Sequence, residues 1–140
     1  MTTPHFLNVD LDIESKSPLR PIARELGKRV VVMHSGRIRG RHCLFLESAK
    51  DHKTPDATIH DLCDLIEGLS PAARRLWDGA LRRGFDIGYE SRFKIRHCNQ
   101  YTLRPDTIQR IAGLKAGVTV TFYRQDDTPP HKRVLGKSKR

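Results

Sequence analysis

Three carboxylates at alternate positions, Asp10, Asp12 and Glu14, are the residues whose type and spacing most directly suggest chemistry. On an extended strand, alternate side chains share a face and lie about 7 Å apart. Carboxylates so placed could hold Mg²⁺ or Mn²⁺, as in two-metal hydrolases and nucleases. Such a site needs a further acid from another element, and Asp86 or Glu90 could supply it. A plainer reading competes with this one. The acids could answer basic residues across the sheet, either Arg37, Arg39 and Arg41 or Arg92, Lys94 and Arg96. Opposite-charge cross-strand pairs stabilise modestly, and exposed sheet faces are commonly charged, so the plainer reading comes first.

The remaining reactive types fall in weaker patterns. His42-Cys43 and His97-Cys98 are adjacent pairs, and neighbours on a strand point to opposite faces, so neither pair chelates as a unit. Cys43, Cys63 and Cys98 show no CxxC spacing, and an odd count makes a poor disulfide framework. His60 and Asp64 lie one turn apart on a helix and read as a solvated face. There is no nucleophile elbow, no Walker loop and no dinucleotide fingerprint. The sequence therefore assigns no catalytic residue or cofactor and no metal beyond the Asp10, Asp12 and Glu14 alternative; the enzyme question stays open, with a non-catalytic reading ahead.

Charge is the more general signal. The 140 residues carry 26 Lys and Arg against 16 Asp and Glu, a net charge of +10. Residues 126–140 hold five cations, Lys132 and Arg133 among them, against Asp126 and Asp127. The larger share of the excess thus belongs to the rest of the chain. A basic domain is drawn to polyanions such as nucleic acid or acidic protein. Arg37, Arg39 and Arg41 alternate, as do Arg92, Lys94 and Arg96, so each trio forms a ladder on one strand face able to track phosphates. Phe45, Phe93 and Tyr101 are out of phase with these ladders and read as core, which argues against base stacking. Met1 to His5 show no apolar leader, and no apolar run is long enough to span a bilayer, so a cytoplasmic setting is expected.

These candidates need elements to position them. Leu7, Val9, Leu11 and Ile13 alternate with the acids and predict a half-buried first strand. Ser17-Pro18 predicts a helix start and Gly27 its end. Val30–His34 predicts a buried strand, Ser35-Gly36 a turn, and Arg37–Glu47 a second strand with a bulge at Gly40. Ile59, Leu62, Cys63, Ile66 and Leu69 mark an amphipathic helix. A further helix runs from Ser70-Pro71 to Gly84, with Leu76, Trp77 and Leu81 inward. Phe85–Leu103 alternates as one bent strand or two. A last helix follows Pro105 with Ile108, Ile111 and Leu114 inward, and a strand covers Val118–Tyr123. The order predicts an α+β fold: a mostly antiparallel ferredoxin-like sheet with helices on one face, extended by a C-terminal helix and strand. Residues 1–125 form one such domain, and 126–140 a disordered basic tail.

The stretch Phe85-Asp86-Ile87-Gly88-Tyr89, then Leu103-Arg104-Pro105-Asp106-Thr107-Ile108 through Gly117, and a strand ending in Tyr123, resembles the C-terminal half of a family of small bacterial proteins of unknown function. The resemblance implies an α+β domain and no catalytic motif. Small domains of this kind include immunity proteins that neutralise toxins by binding them. The expectation is a small non-catalytic binding protein for an acidic macromolecular partner. An immunity-type protein, and a metal-dependent hydrolase or nuclease using Asp10, Asp12 and Glu14, are the alternatives.

Overall fold

The computed structural model describes residues 5–91 and 100–124, apart from the side chains of His5 and Ser91. Five strands form one mixed sheet: β1 (His5–Ser15), β2 (Val30–Ile38), β3 (Arg41–Ser48), β4 (Arg82–Ser91) and β5 (Gly117–Arg124). Four helices join them: α1 (Arg20–Leu26), α2 (Pro55–Glu67), α3 (Pro71–Asp78) and α4 (Pro105–Gly113). The strand order is β2-β3-β1-β4-β5. Every neighbouring pair is antiparallel except β4 and β5, which are parallel and joined through α4. A parallel pair needs such a crossover, because a tight turn can only reverse the chain.

The alternation in β1 decides where the core lies. Val9, Leu11 and Ile13 are fully buried and point toward the helices. Leu44 and Leu46 of β3 and Phe85, Ile87 and Tyr89 of β4 join them on that face. From above come Ile22 and Leu26 of α1, the Ile59, Leu62, Cys63 and Ile66 stripe of α2, and Trp77 of α3. The Trp77 indole N–H donates to the Leu114 carbonyl at 3.2 Å, so a bulky core residue leaves no orphan donor. Burying one such large side chain stabilises the fold by roughly 1.5–3 kcal/mol.

Several local expectations are corrected. The hairpin turn is not Ser35-Gly36 but Arg39-Gly40, both at positive φ (52° and 81°). A two-residue turn of that handedness matches the twist of the strands it joins, and Gly40 enters it without a Cβ penalty. Gly40 is therefore a turn residue and not a bulge. Ser35 and Gly36 stay in β2, opposite Leu44 and Cys43. The Val30–Val32 run is not buried on both faces, because β2 is an edge strand; Val31 and Val32 are exposed. Helix α1 starts at Arg20 with no side-chain cap, two residues later than Ser17-Pro18 predicts, and the Ser17 amide donates to Ser15 Oγ instead. Helix α3 stops at Asp78 with Gly79 after it, so Leu81 is exposed and Gly84 lies inside β4. In α4, Thr107 takes the buried position expected of Ile108, which is exposed. Residues 100–104 are irregular, so no strand runs on to Leu103.

Candidate polyanion-binding surface

The acids of β1 face away from the helices, as the alternation requires. Asp10 lies between Glu47 of β3 and Asp86 of β4, Asp12 between Phe45 and Gly84, and Glu14 between Cys43 and Arg82. Sequence reasoning named Asp86 as a possible companion of Asp10; it did not find Glu47, whose position in an apolar strand hid its face. Phe45 also lies on this face, beside His34 with ring centroids 5.4 Å apart, and is not core-directed. Glu14 is in ion pairs with Arg82 at 3.1 Å and Arg41 at 3.6 Å. Asp86 accepts a hydrogen bond from the Thr121 hydroxyl at 2.7 Å. Burial, and then the negative charge of Asp86, Asp10, Asp12 and Glu47, raise the Tyr123 phenol above its ordinary pKa. The row is therefore a real concentration of charge. Yet among the described residues no group of three His, Cys, Asp or Glu side chains is placed to hold a metal ion.

The basic candidates are redistributed by the turn. Arg37 sits opposite His42 and Arg41 opposite Ile38, with Arg39 in the turn between them. Arg37 and Arg41 therefore project from opposite faces of the hairpin, and the three do not form one ladder. A strand period of two applies only while the chain stays extended, and Arg39-Gly40 breaks it. Arg92, Lys94, Arg96, Lys132 and Arg133 lie outside the described residues.

Each face of the hairpin borders a cleft. On the outer face a space of about 500 Å³ is lined by Glu14, Ile38, Arg39, Arg41, Cys43 and Phe45, and Glu14 partly neutralises it. On the helix face a space of about 600 Å³ opens between α1 and the hairpin. Pro18, Leu19 and Pro21 contribute its apolar lining; Arg20 and Arg24 of α1, Ser35 of β2 and His42 of β3 contribute its polar groups. Among the described residues no acid lines it. Arg20, Arg24, Arg37 and Arg39 are all exposed, and among the described residues none is in an ion pair. Arg37 lies on the same face as His42. Sequence reasoning missed Arg20 and Arg24, and weighed His42 only as a partner of Cys43, because a helix and a hairpin distant in sequence must meet before their charges add. Their only earlier signal was the two arginines one turn apart in a short helix.

At the far side of the helical layer the cations are matched. Arg110 of α4 donates to Asp64 at 2.7 Å and Glu67 at 2.9 Å, both on α2. It also donates to His60 Nδ1 at 2.9 Å. A guanidinium can only donate, so His60 carries its proton on Nε2, which lies 3.0 Å from Thr107 Oγ1. The Thr107 hydroxyl in turn donates to buried Asp56 at 2.6 Å, and the Arg104 amide donates to the same oxygen at 3.0 Å. This chain of bonds ties α4 to α2. The expected solvated His60 and Asp64 face is thus an interhelical joint. Nearby, burial raises the Asp61 carboxyl, but hydrogen bonds from Ser48 and His52 outweigh it and hold the group below its ordinary pKa.

No protein-family model, no curated protein and no solved structure matches this chain.

Proposed function

We propose that this chain is a small non-catalytic protein that binds an acidic macromolecular partner through the hairpin end of its sheet. The observation that carries the reading is the group of unmatched guanidinium groups, Arg20, Arg24, Arg37 and Arg39, around the α1–hairpin end and its acid-free cleft. Cations that close internal ion pairs hold the fold; cations left without partners attract external anions. The tail adds five further cations against two acids, and so acts in the same direction. Within this reading β1–β4 with α1–α3 is a ferredoxin-like unit, since β1 and β2 flank β3 and β4 lies on the other side of β1. The α4–β5 return is the part that supports membership in the resembling group of small bacterial proteins. A cytoplasmic setting accords with the free, buried thiols of Cys43 and Cys63.

Retention on immobilised heparin or polyglutamate, measured against salt, tests the proposal. Binding should weaken linearly in log salt, and deleting residues 126–140 should make that slope shallower. Retention that ignores salt would sink it.

A metal-dependent reading on Asp10, Asp12 and Glu14 is the alternative, although among the described residues no group of three acids is placed to hold an ion. Calorimetry with Mn²⁺ separates the two: heat lost in Asp10→Asn would favour the metal, and no heat in the wild type would remove it.

A further inference from the structure

The polar groups of the α1–hairpin cleft differ in kind from a general basic surface. Arg20 and Arg24 are one turn apart on α1, so their side chains rise from the same side of the helix. Ser35 and His42 come from the opposite wall, on the sheet face that α1 covers. The cleft thus converges two guanidinium groups, a hydroxyl and an imidazole on one space of about 600 Å³. A space of that size suits a small ligand or one unit of a polymer. All of its fixed charge is arginine. Guanidinium offers planar paired donors that match phosphate oxygens, whereas a lysine would present a point charge. The wall that carries them is stiffened by Pro18 and Pro21, which reduces the ordering cost of binding. Among the described residues no Phe, Tyr or Trp lines the cleft, so it lacks a large base-stacking platform.

We propose that this cleft seats a phosphodiester group of a nucleic-acid strand, bound by Arg20 and Arg24 from α1 and by Ser35 and His42 from the hairpin. Arg37, beside His42, and Arg39 at the turn take the neighbouring phosphates of the same strand. The contacts are to the backbone, so binding tolerates any base sequence. This inference rests on the polyanion reading above and names its partner class.

The test is fluorescence anisotropy with a labelled single-stranded 12-mer of mixed sequence, with polyglutamate and a mononucleotide as competitors. The full-length protein should bind the 12-mer with similar affinity whatever its base order. Arg20→Ala with Arg24→Ala should weaken it about tenfold or more, from the loss of two charge-assisted contacts. These residues are exposed, and an unchanged circular dichroism spectrum and melting temperature would establish that the variant folds. Tight binding that the double variant does not alter would overturn the cleft assignment and leave the polyanion reading standing. Displacement by polyglutamate at matched charge, with the 12-mer bound no better, would make the partner an acidic protein and overturn the nucleic-acid class alone. Full displacement by micromolar mononucleotide would make the site one for a free phosphate ester and overturn the polymer. Binding of neither polymer would end both readings.

Discussion

Arginine plays opposite parts at the two ends of the helical layer. Between α2 and α4, Arg110 is spent inside the molecule, on Asp64, Glu67 and His60. Around α1 and the β2–β3 hairpin, Arg20, Arg24, Arg37 and Arg39 meet no acid among the described residues. The residue type is the same; the difference is what the fold places opposite it. Matched cations become joints between elements, while unmatched ones leave a field that reaches into solvent. A count of net charge cannot separate the two, although only the second can recruit a partner.

The contrast can be broken most sharply by charge reversal. Arg20→Glu with Arg24→Glu should lower affinity for a single-stranded oligonucleotide about a hundredfold, since it adds repulsion to the loss of two contacts. The melting temperature should stay where it is. Equal loss of stability would show that these arginines are structural after all.

The opposite result is expected at the joint. Thr107→Val keeps the shape but removes the hydroxyl between His60 and Asp56, leaving the buried Asp56 carboxylate one donor short. Urea denaturation should register a loss of about 1–3 kcal/mol, with oligonucleotide affinity unchanged. A change in affinity of similar size would blur the two regions into one.

A smaller effect depends on pH. The Asp61 carboxyl has a lower pKa folded than unfolded. A group depressed in this way contributes stability that is fully present above the unfolded value and is lost as pH falls through the folded one. The stability gap between wild type and Asp61→Asn should therefore be constant near neutrality and close below about pH 4. A gap that widened on acidification would contradict the bonding of Asp61 to Ser48 and His52.

The thiols should give the smallest difference. Burial raises both, and Cys63 on the inner face of α2 is pushed up to about 11. In a Cys98→Ser background at pH 8, neither should react quickly with a thiol reagent, and Cys43, which borders the clefts, should react before Cys63. The reverse order would mean that the α2 joint opens more readily than the hairpin end.

Much of the element list could be read from local pattern. The β1 alternation and the α2 stripe were legible because each repeats its own period over several residues. The Thr54 cap, which accepts from the Ala57 amide at 3.1 Å, is equally local. Misreadings fell where tertiary context overrode propensity. Gly36 resembled a turn residue but pairs with Cys43; Gly84 resembled a helix stop but lies opposite Asp12. The candidate site was less legible than the fold. Arg37, Arg39 and Arg41 were visible, whereas Arg20 and Arg24, and their meeting with His42, were not, since nothing local links them.

Sequence alone determined that Asp10, Asp12 and Glu14 share a face and that Val9, Leu11 and Ile13 are core, because a strand has a period of two. It also determined the excess of positive charge. Only the tertiary structure decided which charges meet. It set Asp10 between Glu47 and Asp86, gave Glu14 the arginines Arg41 and Arg82, and bound Arg110 to α2. It also left the α1–hairpin cleft lined, among the described residues, by arginine and by no acid. Electrostatic attraction depends on distance in space, and separation along the chain does not fix that distance.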